Sequence, residues 1–268
     1  MEKFKGVLIA SDYDGTLTDD TGSIPEKVRK AIGSFIEQGG AFTVCTGRTK
    51  QGFHAWSRDI INAPVLLANG SMAYDYGKQE IVFGDCITFD DAEIIRKLVA
   101  LYPECCFEMY SDDFRSFAIR PDDITLRHFA RQHIEYKEIT DISADMFPLV
   151  KIMVGAGKYS ADFQKTLSGM SLGGMRYIPC TGHFVEIVSR TSGKGSGLLR
   201  LAGLLGISPE NVYSVGDGAN DVDMHLASAH AFVPANGDRA ALDVAGTVVC
   251  TNNEGALAEV IEILGDKY

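Results

Sequence analysis

The chain lacks a thiolate or disulfide framework. Its six cysteines, Cys45, Cys86, Cys105, Cys106, Cys180 and Cys250, form no C-x-x-C pair, and several sit in apolar runs, where buried free thiols are found. Positive charge is scarce: 25 Lys and Arg stand against 36 Asp and Glu, a formal net charge of -11. Binding to a phosphate backbone needs a basic surface, so nonspecific nucleic-acid binding is excluded. The overall field repels anions, and any phosphate site has to be built locally. No apolar run approaches the roughly 18 residues of a membrane helix. The opening Met1-Glu2-Lys3-Phe4-Lys5 meets Asp12 and Asp14 before any leader-like core develops, so a cytoplasmic protein with no membrane partner is expected. The histidines His54, His128, His133, His183, His225 and His230 show no metal-ligand spacing.

What is present reads as α/β. Val7 to Ala10 is a continuous apolar run, as in a strand covered on both faces. Pro25 opens a helical pattern with Val28, Ile32, Phe35 and Ile36 on one face, and Gly39-Gly40 ends it. Ala41 to Cys45 is a second strand, a helix is expected over Lys50 to Ile60, and Pro64 to Ala68 is a third strand. That βαβαβ opening predicts a Rossmann-like parallel sheet. The rhythm then changes to a hairpin, Met72 to Asp75 with Glu80 to Phe83, followed by paired strands separated by helices. It returns to the parallel pattern from Lys194 onward. The expected organisation is a core formed by residues 1–83 and 187–268, with an α+β domain, 84–186, inserted into it.

Ligands of parallel sheets bind beyond the carboxyl ends of the strands. Three polar clusters fall at such ends: Asp12-Tyr13-Asp14-Gly15-Thr16, Thr46-Gly47-Arg48, and Gly216-Asp217-Gly218-Ala219-Asn220-Asp221. The carboxylates of Asp12, Asp14, Asp217 and Asp221 would repel one another unless a cation neutralised them. Oxygen donors without a His or Cys cluster point to Mg2+. At a strand end, two aspartates two residues apart suit an ionised nucleophile and a neighbouring proton donor. Thr46 enters a turn with a hydroxyl and a backbone N–H, which fits a phosphate oxygen or a helix cap. Arg48 is either a surface cation or a substrate contact. Lys194 opens a helix, against the helix dipole, and an anion nearby would relieve the misfit. Gly193-Lys194-Gly195-Ser196-Gly197 fails as a Walker loop because Gly195 stands where Ser or Thr is needed.

Taken together, Asp12-Tyr13-Asp14-Gly15-Thr16-Leu17, Thr46-Gly47-Arg48, Lys194 and Gly216-Asp217-x-x-Asn220-Asp221 resemble the haloacid dehalogenase (HAD) superfamily. Asn69-Gly70 and Asp221-x-x-Met224 resemble its Cof-type, sugar-phosphatase-like branch, which carries a large C2-type cap. The likeness spans essentially the whole chain. It implies that Asp12 is the nucleophile and Asp14 the general acid and then base. Thr46 and Lys194 become the phosphate clamp. Mg2+ is held by Asp12, the Asp14 backbone carbonyl and Asp217, with Asp221 and Asn220 in close support. Gly47, Arg48, Asn220 and His183 are candidate substrate-binding residues, His183 through the loop Thr181 to Phe184 of the insert. Ser111-Asp112-Asp113 is a second candidate loop. A proton donor at Asp14 is what a phosphoester needs, which favours a phosphatase over a dehalogenase. Tyr13 replaces the usual leucine, and Ser189 to Gly193 lacks the proline common before the lysine. The expected enzyme is a phosphomonoester hydrolase of sugar phosphates or similar small metabolites, monomeric or a weak homodimer. The alternatives are a phosphatase of pyridoxal or flavin phosphate, a phosphotransferase or mutase, and a noncatalytic sugar-phosphate binder.

Overall fold

The structure is a computed structural model and describes residues 2–179 and 183–268. Cys180, Thr181 and Gly182, which include half of the candidate loop around His183, lie outside the described residues. The chain divides into two compact units. The first comprises Met1–Gly47, Ala55–Phe83 and Gly193–Tyr268, and the second Arg48–His54 and Gly84–Ser192.

Elements are numbered along the chain. The first unit contains β1 (Leu8–Ser11), α1 (Glu26–Glu37), β2 (Ala41–Val44), β3 (Val65–Leu67), β4 (Met72–Asp75) and β5 (Glu80–Gly84, its last residue in the second unit). It resumes with α5 (Lys194–Leu204), β12 (Val212–Val215), α6 (Val222–Ala227), β13 (His230–Pro234), α7 (Arg239–Leu242), β14 (Thr247–Val249) and α8 (Ala256–Lys267). Its main sheet has the order β14-β13-β12-β1-β2 and every pairing is parallel. β1 is apolar and wholly buried because both of its faces are covered. Leu198, Leu201 and Ala202 of α5 and Met224 of α6 pack with Leu8, Ala10 and Val212 on one face. β3 joins β4 and β5 in a separate antiparallel sheet and touches the main one through a single parallel bridge, Cys45 to Leu66.

The expected helix over Lys50 to Ile60 is absent; these residues form turns and irregular chain. Thr49 Oγ1 accepts from the Gly52 N–H at 3.2 Å, and Arg48 donates to the Gly52 carbonyl at 3.1 Å. Such local side-chain bonds compete with a helical ladder. Gln51 adds a tether within the second unit. Its amide donates to the Phe114 carbonyl at 2.5 Å, and its carbonyl accepts from Glu135 N–H at 2.9 Å.

The second unit contains α2 (Ala92–Leu101), β6 (Cys106–Ser111), β7 (Ser116–Ile119), α3 (Asp123–Gln132), β8 (Lys137–Glu138), β9 (Leu149–Gly155), α4 (Ser160–Gly169), β10 (Met175–Pro179) and β11 (Phe184–Ser189). Its sheet has the order β10-β11-β9-β6-β7-β8 and is antiparallel except where β7 meets β8. The short β8 has no counterpart in the sequence reading. Alternation decides the faces. Phe107, Met109, Ile152, Val154, Val185 and Ile187 join Ile95 and Leu98 of α2 and Phe163 and Leu167 of α4 in one core. Glu108, Tyr110, Lys151 and Glu186 occupy the intervening positions. The architecture is therefore α/β, a Rossmann-like parallel core with an inserted α+β unit. Among the described residues no helix is long and apolar enough to cross a membrane, and Cys45, Cys86, Cys105, Cys106 and Cys250 are free thiols.

Candidate active site

Parallel pairing aligns the strand ends. Ser11, the last residue of β1, lies level with Val44 of β2 and Val215 of β12. The next residues along the three strands are Asp12, Cys45-Thr46 and Gly216-Asp217, so three segments far apart in sequence leave the sheet side by side. Asp12 is still extended (φ -61°, ψ 161°) and 8% exposed, and a tight turn over Tyr13–Leu17 follows. Gly15 makes that turn possible twice over. Its φ of 82° is left-handed, and a Cβ there would come 2.8 Å from Asp217 Oδ2. Thr16 closes the same corner by donating its hydroxyl to Asp217.

Lys194 reaches the cluster from the start of α5. Its ammonium donates to Asp12 Oδ1 at 2.5 Å and to Asp221 Oδ1 at 2.6 Å, and it is 1% exposed. The flanking glycines serve close packing: a Cβ on Gly197 would stand 2.9 Å from the Gly70 carbonyl oxygen. α5 can therefore rest directly on the turn between β3 and β4. This gives the glycines around Lys194 a role that needs no bound phosphate.

Asp12, Asp217 and Asp221 each present one carboxylate oxygen, all within 4.8 Å of one another, in an arrangement able to hold a metal ion. The Asp12 carboxyl is raised to about 8: burial is the largest cause, Lys194 opposes it, and Asp221 and Asp217 add to the rise. Asp217 is also raised, by burial first and by Asp221, with the Thr16 hydroxyl acting against this. Burial works to lower Lys194, but the charges of Asp12 and Asp221 outweigh it and hold the ammonium well above its usual range. Fully ionised, three carboxylates against one ammonium would leave an excess of two negative charges in a largely buried space. A divalent cation with oxygen ligands fits that excess and that donor set.

The other expected residues are placed as follows. Asp14 is exposed on the turn and contributes no side-chain oxygen to the trio; the role expected of it in metal binding ran through its backbone carbonyl. Thr46 is buried beyond β2, and its carbonyl accepts from Asn69 N–H at 2.9 Å. Gly47 lies against the Asn69 side chain, and Asn220 donates to Asn69 Oδ1 at 3.3 Å. The first unit thus gathers Asp12, Asp14, Thr46, Gly47, Lys194, Asp217, Asn220 and Asp221. Arg48 and His183 belong to the second unit, where His183 is exposed and its carbonyl accepts from Ala156 and Gly157 N–H. The loop Ser111-Asp112-Asp113 folds on itself, with Ser111 Oγ donating to Asp113 at 2.7 Å.

Three residues of the site had no role assigned from sequence: Thr16, Asn69 and His225. Thr16 and Asn69 lie inside the Asp12–Leu17 and Asn69-Gly70 motifs, and membership of those motifs is the available signal. His225 follows Met224 within α6, and its ring contacts could not be read from spacing.

The haloacid dehalogenase-like hydrolase family matches residues 9–261. Among similar proteins, 5-amino-6-(5-phospho-D-ribitylamino)uracil phosphatase YwtE of Bacillus subtilis is 25% identical, with 97% of this chain and 99% of the relative aligned. The phosphoglycolate phosphatase of Methanopyrus kandleri is 23% identical over 96% of each chain. Among solved structures, the HAD subclass IIB sugar phosphatase BT4131 superposes with a TM-score of 0.85 at 17% identity, covering 97% of this chain and 99% of that one. TM0651 from Thermotoga maritima has a TM-score of 0.81 at 18% identity, covering 96% and 97%.

Proposed function

The chain belongs to the haloacid dehalogenase-like hydrolases and is a phosphatase of that family, and on that footing we propose that it hydrolyses small phosphomonoesters with Mg2+, through a phosphorylated Asp12. The observation that carries the reading is the trio of buried Asp12 and Asp221 with half-buried Asp217, and Lys194 bonded to two of its members.

In this reading an Asp12 carboxylate oxygen attacks phosphorus, and the bond from phosphorus to the ester oxygen breaks. Asp14, exposed beside the turn, gives the departing oxygen its proton. The resulting Asp14 carboxylate then takes a proton from water, whose oxygen attacks the same phosphorus; inorganic phosphate leaves and Asp12 is restored. Lys194 and Thr46 hold phosphoryl oxygens, where charge grows during transfer. Asp12, Asp217 and Asp221, with the Asp14 carbonyl, would hold Mg2+, which neutralises charge on the nucleophile and the phosphoryl group. Gly47 and Asn220, anchored on Asn69, shape the phosphate end.

Sugar phosphates and similar polyol phosphates are the proposed substrates, and the enzyme is assigned to the Cof-type branch with a C2-type cap. The names of two similar proteins support this, one a sugar phosphatase and one a phosphatase of a ribityl phosphate. Selection of the leaving group is assigned to the inserted unit, with Arg48 and His183 as candidate contacts.

EDTA is expected to abolish turnover of an aryl phosphate and Mg2+ to restore it; full activity in a metal-stripped sample would refute the mechanism. Asp14→Asn is expected to slow a poor-leaving alkyl phosphate by about 10²–10⁴-fold and a good-leaving aryl phosphate far less. A panel of phosphorylated metabolites ranked by kcat/KM tests the substrate class. Pyridoxal or flavin phosphate leading it by about tenfold, a difference near 1.4 kcal/mol in transition-state binding, would reject the sugar assignment. Adding a sugar acceptor and analysing products separates hydrolysis from phosphoryl transfer.

A further inference from the structure

His225 is 4% exposed and lies one helical turn after Asp221, the cap residue just before α6, so the two fall on the same side of that helix. Its imidazole bridges two points on the neighbouring strand. Nε2 is 3.2 Å from the carbonyl oxygen of Gly216, and Nδ1 is 2.9 Å from the hydroxyl of Ser214. A carbonyl only accepts, so Nε2 carries the proton and donates. Nδ1 of the neutral ring then accepts from Ser214, whose oxygen also lies 2.7 Å from the hydroxyl of Ser228. The Gly216 carbonyl therefore selects the tautomer, and the Ser214 hydroxyl is compatible with it.

That contact falls at a sensitive place. The peptide unit joining Gly216 to Asp217 is planar, so fixing the Gly216 oxygen also fixes the direction in which the chain enters Asp217. A Cβ on Gly216 would lie 2.7 Å from the Asp221 Cβ, so the peptide that His225 grips also lies directly against the second carboxylate. Other bonds hold the loop as well: Gly216 N–H donates to the Phe232 carbonyl at 3.3 Å, Asp238 N–H to the Asp217 carbonyl at 2.8 Å, and Gly218 N–H to Asp221 Oδ2 at 2.9 Å. His225 holds the Gly216 oxygen.

We propose that His225 is a positioning residue for the metal site: with its ring supported by Ser214, it pins the Gly216 carbonyl and so aims Asp217 and Asp221 at the cation. It touches neither substrate nor metal. The proposal rests on reading Asp12, Asp217 and Asp221 as a Mg2+ site.

The test is Mg2+ affinity, measured by calorimetry on metal-stripped enzyme without substrate, together with circular dichroism to confirm folding. Outer partners of ligating groups are commonly worth about 10–100-fold in metal affinity. His225→Leu is expected to weaken Mg2+ binding by about tenfold, with most of the lost turnover recovered at saturating Mg2+. His225→Gln places an amide N–H near the position of Nε2 and is expected to restore affinity to within about threefold, whereas His225→Asn, whose amide matches Nδ1 instead, is expected to behave like Leu. Ser214→Ala is expected to give a smaller loss than His225→Leu. Should His225→Leu fail to fold, the Gln and Asn variants still decide the matter. Unchanged Mg2+ affinity in a folded Leu or Asn variant, or equal losses in Gln and Asn, would overturn the role of His225. Absence of Mg2+ binding by the unaltered enzyme would instead overturn the metal-site reading.

Discussion

The two units bury charge in opposite ways. In the parallel sheet of the first unit, Asp12, Asp217, Asp221 and Lys194 gather beyond the strand ends, and the carboxylates outnumber the ammonium. In the antiparallel sheet of the second, charge lies on a face, and one buried pair is matched. Lys151 pairs with Glu186 at 3.1 Å, and Glu108 accepts from the Tyr110 hydroxyl and faces His128 Nδ1 at 2.9 Å. Geometry explains the difference. Parallel strands buried on both faces leave their ends as the place for polar side chains, whereas an antiparallel strand with one apolar face sends every second residue to the other side. Energetics explains the functional consequence. A balanced buried pair is self-contained, while an unbalanced trio can take up a cation from solution. The Lys151–Glu186 pair shows that buried charge alone does not mark an active centre.

The largest effect expected from that contrast is on turnover. Asp12→Asn leaves an amide of nearly the same shape where the nucleophile stood, and kcat is expected to fall by more than about a thousandfold. Steady-state kinetics alongside circular dichroism checks it. Retention of a tenth of the activity would deprive the unbalanced cluster of its chemical role.

Stability separates the units next. Lys151→Met removes the cation paired with Glu186 and is expected to cost about 3–5 kcal/mol in urea unfolding at every Mg2+ concentration. Adding Glu186→Leu is expected to recover most of that loss, because the pair then becomes apolar. A double variant as unstable as the single one would show that Glu186 is not balanced by Lys151.

Mg2+ itself should act on one side of the comparison. At about a hundred times its Kd it is expected to stabilise the protein by about 2.7 kcal/mol. In hydrogen exchange, added protection is expected over residues 8–17 and 212–222 and little change over 106–111 and 149–155. Equal gains in both units would blur the distinction between a cation-binding and a self-neutralised cluster.

The smallest effect concerns the segment after Gly47. Gln51→Ala removes its bonds to Phe114 and Glu135 and is expected to cost about 1 kcal/mol, with faster exchange confined to residues 48–54 and the chain near 114–116 and 135. Faster exchange across β1 and β12 instead would contradict the assignment of Arg48–His54 to the second unit.

Much of the fold was legible because its signals are local. The apolar run at Val7 to Ala10, the period of Val28, Ile32 and Phe35, and the change to paired strands after Met72 each follow from one stretch of chain and its need to bury one or both faces. The segment after Thr49 was misread as a helix because its apolar residues, Phe53 among them, suit one. The competing bonds of Thr49 and Gln51 depend on where Gly52, Phe114 and Glu135 end up.

By itself the sequence determined the class of fold and the three strand-end clusters, since residue type and short-range order suffice for both. It also determined that Asp12 and Asp14 fall at the end of a buried strand. Only the tertiary structure decided that Asp12, Asp217 and Asp221 share one small volume with Lys194, that Gly15 and Thr16 close it, and that the His225 ring, oriented by Ser214, holds the entry to Asp217. These are contacts between residues as much as 209 positions apart, from Asp12 to Asp221. Their distances are set by strand register and helix packing, which no local pattern of residues encodes.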